Sequence, residues 1–227
     1  MSDAQTALKQ AAALAAVRAE VHDGMRLGLG TGSTAFFVLE ELGRRVRQEG
    51  LHISGVPTSL QTERHARELG IAIADLREPL DVAIDGADEI GPRRALTKGA
   101  GGAMTREKCV ALAARRFVVV ADVSKLVRRL NRPVPVEVLP FAEEPVVRTL
   151  RLRFAGAEPV LRLHDGAPFL TDNGNHIVDL RFPGERPRPA QLARALKQIT
   201  GVVEHGLFID MRPIVYVASD AGVRVIR

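Results

Sequence analysis

The 227-residue chain has no tryptophan, a single tyrosine and only 4% aromatic residues. Its core must therefore be built from Val, Leu, Ile and Ala, and it lacks the interleaved aromatics that stack nucleic-acid bases. One cysteine, Cys109, excludes an intrachain disulfide framework and suits a reducing compartment. The ordinary role of such a residue is a small buried hydrophobe. No apolar run approaches the ~20 residues that cross a bilayer. The Ala-rich stretch from Ala7 to Val21 is followed by His22 and Asp23 rather than by small cleavage-site residues, so it is not read as a secretory leader. The six histidines (His22, His52, His65, His164, His176 and His205) have no metal-pair spacing, and no metal is expected. These absences together predict a soluble, cytoplasmic protein with no membrane partner.

What is present is ordinary for a globular chain: 46% hydrophobic and 26% charged residues, enough for one large domain or a main domain with a small one. The net charge of +5 could serve nucleic acid, an acidic surface or an anionic substrate. Basic residues are mixed with acids, as in Glu40-Glu41-Leu42-Gly43-Arg44-Arg45. No helix-turn-helix or basic recognition element is visible, so no nucleic-acid partner is expected.

Strand and helix patterns alternate through the first half. Asp3 begins a helix reaching about His22, Met25–Leu29 reads as a strand, and Ser33 or Thr34 starts a helix to about Gln48. Leu51–Val56 is a strand, and Thr58 with Gln61 has capping-box spacing for a helix through Leu69. Ile71–Ala74 and Leu80–Ile84 are strands, Thr105–Arg115 is helical, and Phe117–Ala121 is a strand too apolar to have a wet face. This pace predicts a parallel sheet covered on both sides, with ligands beyond its carboxyl ends. After Pro133 the order becomes strand (Val134–Leu139), helix (Glu143–Phe154), strand (Glu158–Leu163), strand (His176–Phe182), helix (Pro189–Ile199) and strand (Val202–Phe208), which is ferredoxin-like. An Asn-Gly turn at Asn173-Gly174 joins the middle strands. Ile214–Ala218 and Val223–Ile226 need a sheet to join and are expected to return to the first one. The fold class is α/β: a Rossmann-like parallel-sheet domain (1–131 plus 207–227) carrying a smaller inserted ferredoxin-like α/β domain (132–206).

Three loops, predicted to share one cleft, carry residues suited to chemistry. Gly28-Leu29-Gly30-Thr31-Gly32-Ser33-Thr34-Ala35 lies between a strand and a helix, where glycines permit close approach and helix N–H groups face an anion. From Gly30 it fits a dinucleotide fingerprint, but the second strand ends in Val56-Pro57-Thr58-Ser59 with no acid for a ribose, so no nicotinamide cofactor is expected. Asp85-Gly86-Ala87-Asp88 delivers two acids at a strand end, which want a cation, a proton or sugar hydroxyls, unless they simply cap a turn. In Lys98-Gly99-Ala100-Gly101-Gly102, a lysine and a Gly-rich loop precede a helix with Glu107 in its first turn. An ionised carboxylate there, near a lysine, is a plausible base for a proton beside a carbonyl. A fourth segment, Ala121-Asp122-Val123-Ser124-Lys125, offers Lys125 either to substrate or to solvent.

Taken in order, GLGTGST, VAIDGADEI, LTKGAGGAMTREK, ADVSK, PVPVEVLP, TDNGN and GLF closely resemble the type A ribose-5-phosphate isomerases, from about residue 25 to 208. The resemblance implies an aldose–ketose isomerase without cofactor, acting on a sugar phosphate and assembled as a homodimer or homotetramer. It implies that Glu107 is the proton acceptor, and that Asp85, Asp88 and Lys98 are catalytic and substrate-binding positions. Thr31, Gly32, Ser33 and Thr34 match the first substrate loop, with Gly86 and Ala87 between the two aspartates. Lys98, Gly99, Ala100 and Gly101 match the Gly-rich loop, and Lys125 is a further substrate contact. The family commonly has glycine where this chain has Ala100; a positive φ there would cost about 1 kcal/mol. A sugar-phosphate deaminase acting on amino sugars is the nearest rival and a ligand-sensing module a more distant one. Neither accounts for the DGADE segment together with a glutamate shortly after the Gly-rich loop.

Overall fold

The computed structural model describes residues 3–77 and 79–227. Along the chain run α1 (Asp3–Glu20), β1 (Arg26–Leu29), α2 (Ala35–Glu49), β2 (Ser54–Pro57), α3 (Leu60–Glu68), β3 (Ala72–Ile73), β4 (Leu80–Asp85), β5 (Glu89–Ile90), β6 (Leu96–Thr97), α4 (Met104–Ala113) and β7 (Ala114–Asp122). There follow β8 (Val134–Val138), α5 (Glu143–Arg153), β9 (Glu158–Leu161), β10 (Leu163–His164), β11 (Ala167–Pro168), β12 (His176–Arg181), α6 (Pro189–Lys197), β13 (Val202–His205), β14 (Leu207–Phe208), β15 (Ile214–Ser219) and β16 (Gly222–Ile226). Two compact units result. One holds the chain up to Ala87, Arg106–Leu126 and Met211–Arg227; the other holds Asp88–Thr105 and Val127–Asp210. The sequence reading kept 88–105 with the parallel sheet, whereas these residues pack with the smaller unit.

In the first unit the sheet order is β16-β15-β7-β4-β1-β2-β3, parallel except for β16 at the edge. From β3 to β15 this is the doubly-wound Rossmann order, whose switch point falls between β1 and β4. The inner strands are hydrophobic on both faces, as a sheet covered by helices requires: Leu27, Leu29, Val82, Ile84, Val118 and Val120 are buried on one face in one cluster, and Ala83, Phe117, Val119 and Ala121 are buried on the other. α1 adds Ala12, Ala13, Ala16 and Val17 to it. Small side chains at these i, i+1, i+4 and i+5 positions put one helix face close against β7 and β15. At the end of α1, buried Glu20 accepts from the Tyr216 hydroxyl at 2.7 Å. Burial and this carboxylate push the phenol up to about 12.

The second unit's main sheet runs β13-β8-β12-β9, antiparallel throughout, with α5 and α6 as the crossovers. This is the ferredoxin-like order. Val134, Val136 and Val138 on one face of β8 pack with Val146, Leu150, Leu192 and Leu196 from the helices. A three-stranded sheet, β14-β6-β5, and the β10–β11 hairpin were not foreseen. Strands of two residues carry no periodicity to read.

Three local expectations are corrected. The predicted strand Val202–Phe208 is broken at Gly206, where the chain leaves β13 for β14. Gly206 donates to Pro135 O and accepts from Lys98 N, and a Cβ there would lie 2.0 Å from Lys98 O. The cap of α3 is Ser59, whose hydroxyl accepts from Thr62 N at 3.0 Å; the Thr58 hydroxyl donates to Leu29 O instead. Cys109 is exposed, because α4 buries Glu107, Lys108, Val110 and Ala111 and leaves position 109 on its open side.

Gly206→Ala should cost about 3 kcal/mol, since the added methyl meets backbone that cannot rotate away. Gly184→Ala, with no atom near its added methyl, should stay within about 0.5 kcal/mol of the parent. Urea unfolding midpoints at constant m-value test both.

Candidate functional site

At the switch point of the parallel sheet the β1 and β4 loops meet. Gly30 N donates to Ile84 O at 3.0 Å, and Thr31 N to Asp85 Oδ1 at 3.2 Å; Gly86 N donates to the same oxygen at 2.7 Å. Asp85 is only 3% exposed. Two backbone donors on one oxygen hold its carboxyl rigid. The Thr31 hydroxyl is in turn within 2.7 to 2.9 Å of the hydroxyls of Thr58, Ser59 and Thr62, so the loop is braced against the start of α3. The helix after the loop begins at Ala35. Thr34, in its cap position, makes no side-chain cap bond, and Gly32 stands at φ 106°. Hydroxyls not used as caps and a 15-residue helix opening at the loop suit an anion.

Lys9, beside this loop, was not picked out from the sequence. Lys9, 4% exposed, donates to Ser33 Oγ at 2.8 Å. Burial lowers its pKa below the usual 10.5; Asp122 pulls it back up and Lys125 pushes it further down. Lys9, Lys125 and Asp122 thus belong to one electrostatic group at this loop. Asp122, 1% exposed, accepts through Oδ1 from the backbone and hydroxyl of Ser124. The signal for Lys9 was available: it lies three and four residues before Ala12 and Ala13, on the buried face of α1. A cavity of about 540 Å³ opens beside the loop, against Gly32, Ser33, Phe36, Gln61 and His65. Its lining holds no carboxylate or lysine, so it offers room beside the loop and no proton-transfer group of that kind.

In the second unit Asp88 and the Gly-rich loop come together. Asp88 N donates to Thr97 O at 2.9 Å, and Asp88 Oδ2 accepts from Ala100 N at 2.9 Å. Lys98 is 3% exposed, its ammonium 5.6 Å from the centre of the Phe208 ring. That contact is favourable for a cation held out of water. Positive φ falls on Gly99 and Gly102, not on Ala100, so the alanine bears no backbone strain. Arg162, paired with Asp179, clamps the loop by donating to Gly99 O at 2.9 Å and Ala100 O at 3.1 Å.

Glu137, fully buried on β8, was also missed. It accepts from Thr171 Oγ1 (2.9 Å), Asn173 Nδ2 (3.1 Å), Asn175 Nδ2 (2.8 Å) and the Thr105 hydroxyl. This explains the Thr171–Asn175 turn: it supplies three neutral donors to a buried charge. Thr105 is the second residue of α4, and Glu107 follows in the same first turn, 6% exposed.

A doubly-wound sheet with an anion loop and buried acids at its switch point defines the class of α/β proteins that handle small phosphorylated ligands. Comparison narrows it. The family model for ribose 5-phosphate isomerase A (phosphoriboisomerase A) matches residues 54–222. The ribose-5-phosphate isomerase A of Methanosarcina acetivorans is 49% identical over 222 residues, covering 96% of this chain and 93% of that one. The structure of ribose 5-phosphate isomerase A from Methanocaldococcus jannaschii superposes with TM-score 0.91 at 41% identity, over 97% of this chain and 98% of that one. A D-ribose-5-phosphate isomerase in complex with phospho-erythronic acid gives TM-score 0.91 at 38% identity, over the same shares. The chain belongs to the ribose 5-phosphate isomerase A family.

Glu137→Ala should lower stability by about 2 to 3 kcal/mol, because it strands several donors at once. Thr171→Val, which removes one of them, should cost about 1 kcal/mol. Thermal or urea denaturation separates the two.

Proposed function

We propose that the chain interconverts D-ribose 5-phosphate and D-ribulose 5-phosphate, in the non-oxidative branch of the pentose phosphate pathway. The observation that carries this reading is the burial of Asp85, Lys98 and Glu107, each at most 6% exposed, inside the span matched by the family model. Charged side chains are rarely so buried unless they are paired or used. The relative crystallised with phospho-erythronic acid supports the same substrate class. That ligand is a four-carbon phosphorylated acid whose carboxylate resembles two adjacent oxygens sharing negative charge.

In this reading Glu107 is the base. With the sugar in its open-chain form, its carboxylate takes the proton from C2. The electron pair forms the C1–C2 double bond, and the aldehyde oxygen becomes an oxyanion. Lys98 stabilises that charge, help that is strongest where water is excluded. Asp85 and Asp88 hold the sugar hydroxyls and pass the proton that leaves O2 to O1. Glu107 returns its proton to C1, and the ketone forms at C2. Gly86, Ala87 and the Lys98–Gly101 loop supply backbone contacts. Thr31, Gly32, Ser33, Thr34 and Lys125 grip the phosphate, and we add Lys9 to them. The chemistry uses a carboxylate and an ammonium, with no metal or organic cofactor. The chain works in the cytoplasm as a homodimer or homotetramer. Among its described residues no helix is long and apolar enough to cross a membrane.

Glu107→Gln should lower turnover by about 10³-fold or more while substrate still binds. The assay is ketopentose phosphate formation from ribose 5-phosphate in chelator; near-normal turnover would remove Glu107 from the role of base. Lys9 gives a pH prediction. Its ammonium form binds phosphate, and its pKa lies below 10.5. Affinity is therefore present at neutral pH and lost as pH rises through that lowered value, earlier than for an ordinary lysine. Lys9→Gln should raise KM about tenfold with a smaller change in kcat, consistent with loss of one charge-assisted hydrogen bond. It should also remove the alkaline limb of kcat/KM; an unchanged limb would assign that limb to another group.

A further inference from the structure

Away from these residues, the second unit has a cavity of about 400 Å³ rimmed by Arg93, Arg128, Arg129, Arg188 and Arg194, with Asp210 its only acid. Its floor is apolar, from Ala95, Leu130 and Ile209. Some arginines elsewhere are paired with carboxylates, Arg44 with Glu41 and Glu49, Arg67 with Glu63 and Arg162 with Asp179. Among the described residues Arg93, Arg128, Arg188 and Arg194 have no carboxylate partner. Gathering like charges without counter-charge is unfavourable, so something else must hold them there.

The fold does. Arg186 is 7% exposed and lies beneath this rim. Its Nη1 donates to Leu130 O at 2.9 Å and Arg132 O at 3.0 Å, while Arg129 donates to Arg186 O at 3.2 Å. Its Nε and Nη2 are buried with no hydrogen-bond partner. This buried guanidinium, acted on by Glu89 and 5.7 Å from the Phe182 ring centre, still keeps two donors without a hydrogen bond behind the same wall. Two rim residues, Arg93 (φ 55°) and Asp210 (φ 59°), also hold the left-handed conformation that non-glycine residues avoid. Such strain persists where the surroundings over-determine it and tends to gather at ligand sites. Finally, Arg188 holds the N-cap position of α6, whose N-terminal end favours negative charge, while Arg194 lies in the helix's last turn.

We propose that this cavity binds a small anion with linked phosphate groups, at a site separate from the residues assigned to isomerisation. Forked guanidinium donors match phosphate oxygens in pairs, and several arginines around one opening match several adjacent phosphates better than a single one. The volume admits a molecule of nucleotide size, and the apolar floor accepts a base or leaves room for the polyphosphate alone. Inorganic polyphosphate and a nucleoside polyphosphate share the recognised chemistry.

Calorimetric titration of the full chain with sodium tripolyphosphate, and separately with ADP, tests the site. The wild type and Lys9→Gln should bind tripolyphosphate equally, one per chain, with affinity that falls as salt rises. The double variant Arg188→Glu and Arg194→Glu should bind at least tenfold more weakly and isomerise ribose 5-phosphate at the wild-type rate. Arg188 makes no cap bond, so its loss should not unfold α6; if the charge reversals do misfold the chain, Arg93→Ala with Arg128→Ala replaces them. Tighter binding of ADP would assign the floor to a nucleoside, and equal binding to phosphate alone, each in support. Affinity unchanged in the rim variants, affinity lost in Lys9→Gln instead, or no binding by the wild type at millimolar probe overturns the proposal. So does a rim whose charge reversal splits an oligomer while tripolyphosphate binds no copy, since a second chain would then be the occupant.

Discussion

Gly30 has no side chain because Asp85 stands where one would go. A Cβ at position 30 would lie 2.3 Å from Asp85 Oδ1 and 2.6 Å from its Cα. This closeness joins the two central loops of the parallel sheet: Gly30 N reaches Ile84 O, and Thr31 N reaches the Asp85 carboxyl. A larger residue would push β1 and β4 apart at the switch point and release the carboxyl from its donors. The β1 loop and the Asp85 carboxyl are therefore one piece of structure. Bracing then spreads outward, from the Thr31 hydroxyl to Thr58, Ser59 and Thr62 at the start of α3.

Around that piece the chain buries charge in an unusual manner. Some of its buried ionic groups are paired with arginines, Glu41 with Arg44 and Glu20 with Arg116, while others have neutral donors or an aromatic face among their contacts. Asp85 is held by backbone N–H groups, Glu137 by two hydroxyls and two amides, and Lys98 stands over Phe208. Neutral donors orient a carboxylate and leave its charge available to a substrate. At Lys9, burial and the nearby Lys125 loosen the hold on the proton, while Asp122 tightens it.

The strand and helix alternation of the first unit could be read because each inner strand is apolar on both faces and each helix has a periodic face. The ferredoxin-like order could be read for the same reason, down to the turn at Asn173-Gly174. The two-residue strands β5, β6 and β14 could not, since their pairing depends on Gly206 meeting Lys98 across the chain. Cys109 was misjudged because residue type outweighed position on the helix. Asp85, Asp88, Lys98 and Glu107 stood out through motif context, whereas Lys9 and Glu137 sit among alanines and valines. Their roles depend on partners 24 to 38 residues away, and no local pattern shows such partners.

The absence of an acid after β2 has a positive meaning in the structure. In a dinucleotide-binding sheet that position holds a carboxylate for the ribose. Here Thr58, Ser59 and Thr62 occupy it, and their hydroxyls turn toward Thr31 and Gly30 O. A carboxylate at 58 or 59 would lose those mutual hydroxyl bonds and place a second negative charge near Asp85, weakening the loop for any anion. The same sheet order thus serves two kinds of ligand, and the residues ending β2 decide between them. Acids there make room for a cofactor's sugar, whereas hydroxyls there stiffen the β1 loop, the loop proposed to hold the substrate's phosphate.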